Sequence, residues 1–193
     1  MKKYCIFKEN VYYGNEILWE KDKDYLITFE DEKRFYLDEP IDIGIGREYL
    51  DDKFIVIDQS EKIMKDFPWF EARNVWTGEK LGFPHPCECQ SGWCDLIYNL
   101  CKELDQLYKN KKADISNLRI YQIKEKYGLL DFNIGNYIEG AFEITQKYHE
   151  LSGKVCEECG SNNGEMHIKG AWVKTLCQTC AEKDGFVKCK NKY

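Results

Sequence analysis

Histidine, proline and methionine are scarce in this chain, with 3, 4 and 3 residues among 193. The three histidines, His85, His149 and His167, stand far apart and none belongs to a recognisable acid–base pair. That is too few to furnish an HNH-type nuclease, which needs further histidines in fixed places. There is no Walker loop, no GxSxG elbow and no HExxH helix, and Gly44-Ile-Gly46 lacks the context of a dinucleotide fingerprint. No stretch approaches the roughly 20 consecutive apolar residues that a membrane span requires. The opening MKKYCIFKEN has no apolar signal core before charge returns. The expectation is a soluble, cytoplasmic, globular protein that is not an enzyme.

Cysteine, by contrast, is abundant, with 10 residues. Without an export signal, the reducing cytosol favours metal ligation over disulfides for paired cysteines. Cys156-Glu-Glu-Cys159 and Cys177-Gln-Thr-Cys180 are separated by 17 residues, inside the roughly 15–20 residue window of a tetrahedral zinc site. Two residues between cysteines let a tight turn aim both sulfurs at one ion, and the longer insert brings the second pair opposite. Four protein ligands leave no open position for water, so such a zinc is structural and not catalytic. A four-sulfur set also suits iron, and spacing alone leaves the metal open. Gly160 follows the first pair, as in rubredoxin-type knuckles, whereas Ala181 follows the second. A second cluster, His85, Cys87, Cys89 and Cys94, supplies four potential ligands in ten residues and is a candidate for a further metal.

The expected fold class is α+β. Residues 1–58 form the first domain, where Tyr4–Phe7, Glu16–Trp19, Tyr25–Phe29, Arg34–Leu37 and Phe54–Ile57 read as short β-branched or aromatic strands. Tyr13-Gly14-Asn15 and Glu30-Asp31-Glu32 are the turns. Short antiparallel strands of this kind most often close into a small SH3-like β-barrel, which removes exposed edges. Residues 59–92 are an ordered aromatic and proline-rich connector holding Pro68, Pro84 and Pro86. Residues 93–153 read as an α-β-β-α unit. Trp93, Leu96, Ile97, Leu100, Cys101, Leu104 and Leu107 fall on one helical face. Leu118–Ile123 and Leu129–Ile134 then form strands joined around Tyr127-Gly128, and Tyr137–Leu151 is a second helix ending at Gly153. Residues 154–193 are a zinc-ribbon or treble-clef-like module.

The net charge of −6 is uneven: residues 1–58 carry 9 basic and 15 acidic side chains, 59–153 carry 12 and 14, and 154–193 carry 7 and 5. Nucleic-acid binding depends on clustered Lys and Arg, and only the last segment is basic. Four thiolates and one zinc dication bring that segment near neutrality, which disfavours nucleic acid as a partner while leaving room for a local patch. In the connector, Trp69, Phe70, Trp76 and Trp93 are candidates to line a ligand or partner surface edged by Arg73 and Lys80. Packing of these rings between modules is the competing reading.

Five separated motifs, Cys89-Gln-Ser-Gly-Trp93, Leu100-Cys101, Gln122-Ile-Lys-Glu-Lys-Tyr-Gly128, Cys156-Glu-Glu-Cys-Gly160 and Ala171-Trp-Val-Lys-Thr-Leu-Cys177, span roughly the last two thirds of the chain. In order and spacing they resemble a widespread, poorly characterised group of phage and prophage proteins. That group runs from an ECGDGW-type helix start ending in LC, through a QVKEKFGGLRFY-type hairpin and a helix, to a CExCG knuckle and GWxxTLCxxC/H. Here Gln90-Ser91 replaces Gly-Asp, Cys94 replaces an aromatic and Leu129-Leu130-Asp131 replaces Gly-Leu-Arg. The resemblance implies a phage or mobile-element origin and the same zinc module, and no settled activity. The leading expectation is a non-enzymatic phage accessory protein that binds a host protein or a small nucleotide-like signal and so blunts host defence. The alternatives are a zinc-ribbon adaptor for nucleic acid or the transcription machinery, through Lys169, Lys174, Lys183, Lys188, Lys190 and Lys192, and an inhibitor whose acidic N-terminal domain mimics nucleic-acid charge.

Overall fold

Strand formation in the N-terminal segment follows its apolar and aromatic clusters. β1 (Lys3–Phe7), β2 (Val11–Tyr13), β3 (Glu16–Trp19), β4 (Asp24–Glu30), β5 (Arg34–Leu37), β6 (Gly44–Gly46) and β7 (Phe54–Asp58) are all short. The computed structural model describes residues 2–32, 34–39, 44–46 and 54–189. The chain is mixed α+β, with four α-helices and several small sheets among the described residues, and it divides into two compact units, Met1–Lys62 and Ile63–Tyr193. The α-β-β-α segment, the paired cysteines and all but the first residues of the connector lie in the second unit.

In the first unit an antiparallel sheet runs in the order β6-β5-β4-β1-β7, and β2 and β3 form a separate ribbon turned at Gly14, whose φ is 63°. Phe7 stacks on Trp19 with centroids 5.0 Å apart, in one core with Tyr25, Phe35 and Leu37. The sheet is open among the described residues. β6 and β7 are its two edges and no ladder joins them, so the ladders do not show the closed barrel expected from strand number alone. The Gly44–Gly46 stretch is an edge strand on β5, not a phosphate-binding turn.

A helix follows that apolar periodicity does not announce, α1 (Gln59–Asp66). Its signal is a capping box: Asp58 Oδ1 accepts from the Ser60 and Glu61 amides at 2.8 and 2.9 Å, and Glu61 Oε2 accepts from the Asp58 amide at 2.8 Å. Asp58→Ala removes the cap and should lower stability by about 1 kcal/mol. The midpoint of urea unfolding measures this, and an unshifted midpoint would remove the cap from the account.

In the second unit a 3-10 turn, Pro68–Phe70, leads into the hairpin β8 (Glu71–Arg73) and β9 (Lys80–Pro84), then β10 (Cys87–Glu88) and a second 3-10 turn, Ser91–Trp93. Helix α2 (Cys94–Asn110) buries Ile97, Leu100, Cys101, Leu104 and Tyr108, with Asp95 in its first turn, where the helix dipole favours negative charge. This face packs in one core with Ile123 of β11 (Arg119–Lys126) and with Leu130, Phe132 and Ile134 of β12 (Leu129–Gly135). β11 and β12 are joined by Tyr127-Gly128 with φ of 53° and 80°, the left-handed pair that a type I′ turn requires. Helix α3 (Ala141–Ser152) begins later than its apolar spacing predicts. The Ile138 amide is taken by Tyr108 Oη at 3.2 Å and Gly140 turns left-handed at φ 93°, so helical geometry starts only beyond them. The last elements are β13 (Glu165–Lys169), β14 (Trp172–Leu176), α4 (Gln178–Asp184) and β15 (Val187–Lys188).

Candidate metal centre

The first cysteine pair sits on a turn closed by backbone hydrogen bonds. The Gly160 amide donates to Cys156 O at 2.9 Å and the Cys156 amide to Ser161 O at 2.8 Å. Gly160 has φ 78°, a conformation that disfavours a side chain. The β13–β14 hairpin then carries the chain back, and the Glu157 amide donates to Thr175 O at 2.9 Å. Cys177 is the extended residue capping α4, with φ −73° and ψ 162°, and Cys180 lies in the first turn of that helix. One pair thus comes from a turn and the other from a helix start.

This placement brings all four Sγ atoms within 4.8 Å of one another, with Cys159 and Cys177 Sγ 3.7 Å apart. Tetrahedral zinc with Zn–S bonds of about 2.3 Å requires sulfurs about 3.8 Å apart, so the donor set fits a structural four-sulfur metal site. Cys156 and Cys177 are buried with Leu176 and Ala181. Hydrogen bonds with the Ser161 hydroxyl and amide draw the Cys159 thiol down to about 6, and the Cys180 amide lowers Cys177. Burial raises Cys156 and Cys180. Four crowded sulfurs cannot all ionise unaided, and a divalent ion offsets two of their four charges.

The metal module is tied to the preceding core through a contact that spacing does not reveal. The Gly92 amide donates to Glu157 O and the indole of Trp93 to Val155 O, both at 2.8 Å, and Trp93 is fully buried. A Cβ on Gly92 would lie 2.3 Å from Cys156 O, 2.4 Å from Glu157 O and 2.6 Å from the Gly160 amide nitrogen. The Gly-Trp dipeptide before α2 is therefore the seat of the knuckle. Its one sequence signal is a glycine immediately before a helix-leading tryptophan.

The other candidate ligands are not gathered. Among the described residues, the four-cysteine group is the only set of three or more His, Cys, Asp or Glu donors close enough to share an ion. His85 turns Nδ1 to Pro86 O at 3.0 Å, Cys87 lies on β10 with its Sγ 3.7 Å from His85 O, and Cys94 is buried at the start of α2. Cys89 is pushed up chiefly by burial, and then by Cys87 and Cys94. The cluster is thus divided between strand, turn and helix. His149 and His167 likewise donate Nδ1 hydrogens to carbonyls, those of Leu130 and Glu165, at 2.9 and 2.8 Å.

The connector residues also part company. Trp69, Phe70 and Trp93 belong to the core, Arg73 Nη1 donates to Gly78 O at 3.1 Å, and Lys80 pairs with Glu71 at 2.9 Å. Of the four rings, Trp76 alone is in solvent, 92% exposed. These six side chains do not line a common pocket, because three of the four rings fill the hydrophobic core. Of the candidate phosphate-contacting lysines, Lys169 donates to Asp184 O at 2.6 Å and Lys188 pairs with Glu165 at 2.7 Å. Lys190 and Lys192 lie outside the described residues.

Comparison of the chain with protein-family models, with curated proteins and with solved structures found no match in any of the three. No helix among the described residues is long and apolar enough to cross a membrane.

Proposed function

We propose that the chain is a non-enzymatic, cytoplasmic phage accessory protein that antagonises host defence by binding a host protein. In this reading the C-terminal module is treble-clef-like and stapled by one structural zinc, and the N-terminal unit is a small SH3-like β domain. Zinc is favoured over iron because only the first cysteine pair forms a glycine-closed knuckle, while the second starts a helix. The phage origin rests on the motif resemblance. A protein is favoured over a small nucleotide-like signal because Trp69, Phe70 and Trp93 are committed to the core.

The observation that carries the binding mode is the β8–β9 tip. Asn74 Oδ1 accepts from the Trp76 and Thr77 amides at 2.9 and 3.1 Å, the Gly78 amide donates to Asn74 O at 2.8 Å, and Thr77 Oγ1 donates to Glu79 Oε2 at 3.1 Å. This rigid turn presents Val75 and Trp76, 76% and 92% exposed. A pre-ordered tryptophan loses little entropy on docking, and tryptophan is enriched among residues that dominate interfaces. Affinity capture from host lysate should retain one host protein on the wild-type chain. Trp76→Ala should weaken that capture by at least about 30-fold while leaving the melting temperature unchanged. Equal capture by both proteins, or recovery of the bait alone, would contradict the reading.

A further inference from the structure

We propose that the groove between the tips of the β11–β12 and β13–β14 hairpins binds single-stranded nucleic acid, a function separate from the Trp76 surface. The groove encloses about 380 Å3 and is lined by Lys124, Glu125, Lys126, Tyr127, Trp172 and Val173, among others. Its walls are fixed. Thr175 Oγ1 donates to Gly128 O at 2.5 Å, and Gly128 packs so closely on β14 that an added Cβ would meet Val173 and the Lys174 and Thr175 backbone at 3.3–3.4 Å.

Two rings project here without contributing to a core: Tyr127 is 76% exposed and Trp172 70% exposed. Tyr127 occupies a left-handed turn position at φ 53°, where asparagine is the residue that folding prefers. A bulky ring held in that conformation and facing water is not explained by stability. The two lysines of the groove are also not held in ion pairs, although carboxylates stand near them. The Glu125 carboxylate is turned back to accept from the Gly128 amide at 2.5 Å. Lys124 and Lys126 make no ion pair among the described residues. Across the strands Lys126 faces Leu129, while Lys124 faces Asp131 and Glu88, the latter accepting from Gln122 Nε2 at 3.2 Å.

Exposed rings beside unpaired ammonium groups match a ligand with flat π-faces and repeating negative charge. Stacking of bases on aromatic side chains, with the backbone tracked by cations, is the usual chemistry of single-strand recognition. Lys124 and Lys126 share one strand face about 7 Å apart, comparable to the phosphate spacing of an extended single strand, which favours a strand over one free nucleotide. A duplex keeps its base faces stacked inside and cannot use the rings. The near-neutral charge of the module does not oppose this, because only two phosphates need be met.

Fluorescence anisotropy of a labelled oligothymidylate with the full chain tests the proposal. Two cations imply that log K falls with log salt at a slope of about −1.4, so a four-fold rise in salt weakens binding about seven-fold. Trp172→Ala and Tyr127→Asn should each weaken binding about ten-fold, and Lys126→Gln should halve the slope. Tyr127→Asn creates the preferred Asn-Gly turn, so its loss of binding cannot come from a broken hairpin. Thymidine monophosphate, duplex DNA and an acidic peptide should compete only weakly. Equal competition by any of them would overturn the single strand in favour of that class, and no salt-sensitive binding at low ionic strength would overturn the site altogether.

Discussion

Cys177→Ser is expected to release the metal and unfold the C-terminal module. A structural zinc contributes an apparent binding free energy of about 10–16 kcal/mol at neutral pH in small modules, as large as the whole stability of a typical domain, about 5–15 kcal/mol. The module's own apolar core is small. Its buried apolar cluster is Cys156, Leu176, Cys177 and Ala181, two of which are the ligands themselves. Treating the wild type with a strong chelator should have the same effect. The damage should spread to the start of α2, because the Trp93 indole loses the Val155 carbonyl and the Gly92 amide loses that of Glu157. The β1–β4 ladder, with its own core around Phe7 and Trp19, should keep its protection. Hydrogen exchange followed by mass spectrometry reads both regions together. Unchanged protection of residues 154–189 in Cys177→Ser would contradict this expectation.

Gly92→Ala is the second large effect. The strain is steric and not conformational, since the new methyl would strike three backbone atoms of the knuckle at 2.3, 2.4 and 2.6 Å. Backbone cannot swing aside as a flexible side chain would, so either α2 or the knuckle has to move and the Gly92 amide bond to Glu157 O is lost with it. The expected cost exceeds about 4 kcal/mol. Weaker metal retention should accompany it, because the two struck carbonyls belong to the Cys156 ligand and to the residue directly after it. Urea unfolding of the metal-loaded protein measures the first and competition with a chromogenic chelator the second. A variant within about 1 kcal/mol of wild type would show that the Gly92 contact is not a close one.

Local chemistry is readable in the sequence where one short segment decides the outcome. Cys156-Glu-Glu-Cys159 with Gly160 forms its turn from its own backbone bonds, and Tyr127-Gly128 makes its hairpin for the same reason. Ring direction in the connector is not readable. Trp69, Phe70 and Trp76 lie within eight residues, yet two enter the core and one faces solvent, because α2 and the β11–β12 hairpin supply the packing partners from far along the chain. The His85 to Cys94 cluster shows that closeness in sequence does not by itself make a donor set: its residues are spread over a strand, a turn and a helix start, and among the described residues only the other four cysteines lie close enough to share an ion. Helix α1 escapes a reading by periodicity because its signal lies in the Asp58 and Glu61 cap and not in its apolar residues.

The central claim is that Cys156, Cys159, Cys177 and Cys180 close around one metal ion. Native mass spectrometry of freshly purified full-length protein tests it most directly. The account predicts one zinc per chain, lost completely in Cys177→Ser. Metal well below one per chain in the wild type, or undiminished in the variant, would contradict it.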